Sequence, residues 1–240
     1  MSINSACLEL LKPFEFTYDS KRVSLPLGAQ RLLAFLALNS DGTHRTALAE
    51  ELWPDCTPFR AAANLRSALC QARRIRAVNV VDIVGPRLLL SCSINVDLHR
   101  VWESGRQIMA GLDPLPVEWD ELIAGLSREL LPGWAEDWLI VERERWDQMR
   151  VYALESLGQQ FQTAGQYLPA LQAALAAMAV DPMRETAHRI VIEVHIAEGN
   201  IASAVKRYQD YRSFLERELK VAPSRQMTQL VQEMIPIRSE

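Results

Sequence analysis

Glycines at positions 165 and 199 stand 34 residues apart, and each is followed at equal offsets by small or aromatic residues. Ala170, Ala174 and Ala177 follow the first, and Ala204, Tyr208 and Tyr211 follow the second. A recurrence of this length holds two helices and their turns but cannot bury its own apolar face, so successive helix pairs must stack on one another. Ahead of Gly165, Leu154, Leu157, Gly158 and Phe161 recur at helical spacing, and Pro182 closes the first copy. The small residues fall where two helices have to cross at close range. The second copy drifts from the pattern after Phe214.

Leu154, Leu157, Gly158, Phe161, Ala170, Ala174, Ala177 and Pro182 occupy the offsets of the tetratricopeptide pattern, which makes the rear of the chain an all-α, tetratricopeptide-like helical domain. A chain of 240 residues exceeds the usual single-domain size, so a second domain is expected in front. Charge divides the same way: residues 1–100 hold 12 Lys and Arg against 9 Asp and Glu, and the remainder holds 14 against 21. The boundary is placed at Leu98, giving domains 1–98 and 99–240. Pro114, Pro116, Pro132 and Gly133 punctuate the region behind that boundary, and no pattern assigns a role to residues 113–130. From Trp134 to about Ala164 the pattern is helical, with Trp134 and Trp138 read as core aromatics and the charges of Glu136–Arg145 as i,i+3 and i,i+4 surface pairs.

In front, Phe14, Phe16 and Tyr18 alternate with polar residues, as do Val23, Leu25 and Leu27 after Asp19-Ser20-Lys21, the period of a half-buried hairpin. Leu8 to Leu11 adds a third strand. Ala29 to Asn39 is apolar on nearly every side, as for a helix buried in a small core. Thr46 is the expected N-cap of a second helix ending at Trp53-Pro54, and Val80–Val84 and Leu88–Ser91 form two strands around Gly85-Pro86-Arg87.

Between these lies a third helix, opened by Thr57 as N-cap and Pro58 in its first turn, which runs toward Arg76 with five arginines and no acid from Phe59 onward. At about 100° per residue, Leu65, Leu69, Ala72 and Arg76 share one inward side. Arg60, Ala63, Ser67, Cys70, Gln71 and Arg74 face the opposite way, with Asn64, Arg66 and Arg73 on the flanks. Such a face is either a solvated positive surface or a reader of a major groove, where Arg pairs with guanine and Asn or Gln with adenine. Strands, three helices and a closing hairpin make an α+β, N-terminal winged helix-turn-helix followed by the helical domain.

The runs Gln30–Leu38, Leu48-Ala49-Glu50-Glu51-Leu52-Trp53-Pro54-Asp55 and Asn64-Leu65-Arg66-Ser67 with Arg73-Arg74 resemble the DNA-binding domain of the Streptomyces antibiotic regulatory protein family, itself similar to the OmpR-type winged helix. The rear half, closing on Leu219-Lys220-Val221-Ala222-Pro223-Ser224, is similar to the bacterial transcriptional activator domain of that family. The chain departs from the family at the wing, where Gly85-Pro86 stands for the usual Gly-Tyr, and at Ala72, where a larger aliphatic residue is common. The resemblance implies double-stranded DNA as ligand, RNA polymerase holoenzyme as partner at promoters with direct-repeat sites, and a homodimer on DNA. Within it, Gln71 and Arg74 are assigned to bases and Arg60, Arg66 and the wing Arg87 to phosphates, with Asn64, Ser67 and Arg73 completing the surface.

The alternative is a helical-repeat adaptor for other proteins whose winged helix does not bind DNA. Catalysis has no candidate: there is no His-Glu-x-x-His, no Cys-x-x-Cys, no phosphate loop and no Gly-x-Ser-x-Gly, and neither a metal nor a cofactor is expected. His188 and His195, seven apart with Glu193 and Glu198 nearby, read as satisfied or exposed side chains. Cys7, Cys56, Cys70 and Cys92 lack paired spacing and read as reduced thiols. With neither an export signal nor a membrane span, the expected location is the cytoplasm.

Overall fold

Alternating burial along β1 (Ala6–Glu9) and β2 (Glu15–Tyr18) turns Ala6, Leu8 and Phe16 inward, and the strands pair antiparallel with Leu8 opposite Phe16. The computed structural model describes residues 6–73, 78–111 and 114–233. They form two compact units, residues 1–100 with 128–146, and residues 101–127 with 147–240.

In the first unit β3 (Lys21–Arg22) flanks β2, and β7 (Ile94–Val96) joins β1 in parallel, giving the order β3-β2-β1-β7. The strand expected through Leu27 stops at Arg22. Pro26 explains the stop, because it has no N–H for a ladder and its carbonyl instead accepts from Ala29 and Gln30 to start α1 (Leu27–Leu38). Leu27 is consequently 61% exposed as the first helical residue. Seven residues of α1 are buried, as its all-round apolar sequence requires.

β4 (Thr43–His44) leads into α2 (Arg45–Leu52), whose cap is His44 rather than Thr46: His44 Nδ1 accepts the backbone N–H of Thr46 at 3.3 Å. α2 ends at Trp53 because the following Pro54 disfavours helical geometry there. α3 (Pro58–Arg73) follows, then the hairpin of β5 (Val81–Val84) and β6 (Arg87–Leu90), with β4 on its far side in the order β4-β6-β5. Gly85 takes φ +57° in the turn, a left-handed conformation open to glycine without steric cost. Helices α1–α3 with this hairpin constitute the winged helix-turn-helix.

Residues 128–146 belong to this unit although they come later in the chain. Fully buried Leu131 donates its N–H to the Leu10 carbonyl at 2.7 Å, Trp134 stacks on Phe14 and Trp138 meets Phe35 edge-on. The two tryptophans, expected as core, are half-buried and pack against aromatic residues of the winged helix. The charges of this segment are only partly local pairs. Arg145 bridges Glu142 at 2.8 Å, but Glu136 binds Arg31, and Arg143 donates to the carbonyls of Leu130 and Leu131 at 3.0 and 2.6 Å.

The second unit takes the residues of α4 (Asp97–Ala110) from Val101, α5 (Trp119–Leu126), the residues of α6 (Trp138–Thr163) from Asp147, and then α7 (Tyr167–Val180), α8 (Glu185–Ala197), α9 (Ile201–Leu219) and α10 (Arg225–Gln232). Gly165 (φ +72°) and Gly199 (φ +76°) lie two residues beyond the ends of α6 and α8, the place where a left-handed residue closes a helix. Leu154, Leu157, Phe161, Ala170, Ala174 and Ala177 are all fully buried. A Cβ on Gly158 would lie 3.3 Å from Ile190 Cδ1 and 3.5 Å from the Ala170 carbonyl, so α6, α7 and α8 meet closely around it. α5, within the stretch that sequence left unassigned, sets Trp119 edge-on against Phe161.

Candidate nucleic-acid interface

α3 is capped by Thr57, whose Oγ1 accepts the backbone N–H of Arg60 at 3.4 Å. Its inward side buries Leu65, Leu69 and Ala72, together with Ala61 and Ala68. Burying one side of a 16-residue helix leaves the other side open, and no acid lies anywhere in it. Arg60, Arg66, Ser67 and Arg73 are exposed, Asn64 and Gln71 are half-buried, and Ala62 and Ala63 keep the surface low between them. Asn64 Nδ2 donates to Cys56 Sγ at 3.8 Å, which ties one residue of the expected surface to the turn before the helix. Arg74 and Arg76 lie outside the described residues.

None of Arg60, Arg66 and Arg73 has an ion pair among the described residues. Three uncompensated guanidiniums on one helix face produce a local positive potential in a chain whose formal net charge is −4. On the wing, Arg87 is exposed, and its Nη1 donates to the carbonyls of Asp41 and Gly42 at 3.4 and 3.2 Å. Those bonds hold the guanidinium beside the turn that precedes β4.

The structure adds two residues to this surface. Phe59 is 82% exposed and shares a stripe with Ala63, Arg66, Cys70 and Arg73, which follow it at steps of four and three. A large apolar residue out of phase with Leu65 and Leu69 is the sequence signal that marks it. Arg45, also exposed, donates its backbone N–H to the Pro86 carbonyl at 3.0 Å and so stands beside the turn of the wing hairpin. No local pattern announces that placement, since it depends on the pairing of β4 with β6.

Elsewhere, His188 Nε2 donates to the Pro182 carbonyl at 3.0 Å and the ring stacks on Tyr211, so it is a core histidine. Among the described residues no three His, Cys, Asp or Glu side chains are grouped as a metal ion requires, and no helix is long and apolar enough to cross a membrane. The four cysteines are free.

Residues 121–235 match the family model of the bacterial transcriptional activator domain. In fold the chain is similar to a solved structure of EmbR from Mycobacterium tuberculosis, described as a complex with a low affinity phosphopeptide, with a TM-score of 0.77 at 18% sequence identity. The match covers 97% of this chain and 65% of that one, so the chain spans about two thirds of its length. No curated protein matches in sequence.

Proposed function

We propose that the chain is a sequence-specific DNA-binding activator of the Streptomyces antibiotic regulatory protein type, a reading supported by the match of residues 121–235 to the bacterial transcriptional activator domain. α3 enters the major groove, where Gln71 and Arg74 read base edges, while Arg60, Arg66 and Arg87 hold phosphates and Asn64, Ser67 and Arg73 complete the contact. Phe59, on the same exposed stripe, packs against a thymine methyl, and Arg45 adds a phosphate contact beside the wing.

The observation that carries this reading is the acid-free outer face of α3, with Arg60, Arg66 and Arg73 exposed and unpaired beside small alanines. A face used only against protein or water gains nothing from concentrating unpaired cations in an acidic chain. A polyanion does. The activator domain recruits RNA polymerase holoenzyme, and protomers pair as homodimers on direct-repeat sites in the cytoplasm; these finer points rest on the family resemblance. The role is regulatory and needs no catalytic residue.

The test is fluorescence anisotropy on duplexes recovered by selection from a random pool, compared with scrambled duplexes of equal length. The full chain is expected to prefer the selected sequences, and the Arg60→Ala, Arg66→Ala, Arg74→Ala triple variant to lose them. Unchanged binding in the triple variant, or no DNA binding by the parent, would overturn the reading in favour of a protein adaptor.

A further inference from the structure

Residues 156–180 contain no charged side chain, in a chain of which 23% is charged. α7 lies wholly inside that stretch, and its inner side is filled by Pro169, Ala170, Ala173, Ala174 and Ala177. What it turns outward is nearly as apolar as what it buries. Leu168 is 62% exposed and Leu175 46%, Ala179 is also exposed, and Leu171 is half-buried beside them. At about 100° per residue Leu168, Gln172, Leu175 and Ala179 form one stripe down the helix, and Gln172 is its single polar member.

A solvated helix face ordinarily carries charge, and a contiguous apolar stripe in its place marks a surface that another surface covers. Its chemistry selects the cover. A helix that lies in a membrane surface needs Lys or Arg on its polar face, and α7 has neither; no helix among the described residues is long and apolar enough to cross. A charged protein partner would find no counter-charge on α7. A second copy of the same helix brings an equally uncharged stripe, and the order of the residues suits it. Leu168 and Leu175 stand at equal distances on either side of the midpoint between Leu171 and Gln172. An isologous contact requires that each residue of a touching pair meet the other twice, and antiparallel pairing about that midpoint does so. A glutamine amide holds both donor and acceptor, so two of them satisfy each other across the axis, which two carboxylates or two ammonium groups cannot do.

We propose that α7 pairs with α7 of a second copy of this chain, antiparallel, about a two-fold axis that passes between Leu171 and Gln172. Leu168 of each copy packs on Leu175 of the other, the two Leu171 side chains meet on one side of the axis, and the two Gln172 amides meet on the opposite side. Each helix is about 21 Å long, so the pair covers less than the roughly 1,000 Å² of a stable interface, and the dimer forms and dissociates with concentration. This pairing goes beyond a homodimer assembled on DNA because it needs no DNA, so its failure leaves the reading of α3 standing.

Sedimentation equilibrium of the full chain without DNA tests this. The parent is expected to show a monomer–dimer equilibrium, and Leu168→Glu, at an exposed position that leaves the core untouched, to weaken it by about tenfold or more. Gln172→Glu and Gln172→Lys each set like charges beside one another across the axis, so each weakens the dimer by about tenfold or more, while an equimolar mixture of the two variants restores it. Only a residue that faces its own copy gives that pattern. A parent that stays monomeric up to about 1 mM assigns the stripe to a different protein and overturns the proposal. A dimer indifferent to Leu168→Glu, or a mixture that associates no more tightly than either Gln172 variant alone, overturns it as well.

Discussion

Arg184 grips Glu155 with both arms of its guanidinium, Nε to Oε1 at 3.0 Å and Nη2 to Oε2 at 2.6 Å, and so ties the residue that precedes α8 to the middle of α6. Glu155 is almost wholly buried, and Arg184 also lies over the Tyr152 ring at 4.7 Å. Hydrogen bonding to Glu155 raises the Arg184 pKa above its already high ordinary value, so the guanidinium stays charged. Removing only the cation leaves a buried carboxylate unpaired, which costs about 3–5 kcal/mol, whereas replacing both partners with apolar residues is often near neutral. Arg184→Met is therefore expected to destabilise the second unit more than the Arg184→Met, Glu155→Met double variant. Urea denaturation followed by circular dichroism measures the difference, and equal losses in both would show that the pair contributes nothing beyond packing.

Ala174 is fully buried on α7, within the run of small residues through which that helix meets its neighbours. A leucine there must displace packed atoms, typically at a cost of about 1–3 kcal/mol. Ala174→Leu is expected to lower the melting temperature without changing helical content. A neutral result would mean that the crossing tolerates three more carbons.

Leu131 anchors the later segment to the winged helix through its buried side chain and its bond to the Leu10 carbonyl. Leu131→Ala is expected to destabilise the first unit by about 2–5 kcal/mol. A fragment ending at His99 lacks Leu131, Trp134 and Trp138 altogether. It should melt below the first unit of the full chain and bind a hydrophobic dye through the uncovered surface around Phe14 and Phe35. A fragment as stable as the full chain and blind to the dye would show that the segment is dispensable.

Burial lowers the pKa of the His188 imidazole from its usual 6.5, with the charge of Arg207 adding to the effect, while the bond to the Pro182 carbonyl and the charge of Glu185 oppose it. Tyr211, stacked on the ring, is pushed by its own burial up to about 12 and stays neutral. With the folded pKa below the unfolded one, the unfolded chain binds the proton more readily. Stability from this group is therefore full above about pH 6.5 and is lost as pH falls toward the folded value. The melting temperature of the second unit should drop between about pH 7.5 and about pH 5.5, and His188→Asn should flatten that dependence. An identical slope in the variant would assign the effect to other groups.

If Arg60, Arg66 and Arg87 hold phosphates, alanine at each lowers the salt slope of DNA binding by about 1 on every sequence, whereas Gln71→Ala or Arg74→Ala costs roughly 1–3 kcal/mol chiefly on the selected site. Anisotropy across a salt series separates the two classes. A phosphate-like signature at Gln71 or Arg74 would reverse the assignment.

Much of this architecture follows from local pattern. Thr57-Pro58 opens α3, Leu65, Leu69 and Ala72 bury one side of it, and the spacing of Gly165 and Gly199 sets the helix pairs, because capping, periodicity and left-handed turns act over a few neighbouring residues. The outward placement of Arg60, Arg66, Ser67 and Arg73 was legible for the same reason: a helix that buries one face must expose the other. What only the tertiary structure decided involves partners far apart in the chain. β7 pairs with β1 across the whole winged helix, His44 caps α2 because β4 holds it against β6, and Arg31 meets Glu136 at a separation of 105 residues. Residues 134–146 look helical and charged in sequence, yet with Leu131 they pack Trp134 and Trp138 against the first unit rather than the second. No periodicity carries that information: two apolar surfaces attract without specifying each other, and the choice between them rests on shape and on which buried polar groups each arrangement satisfies.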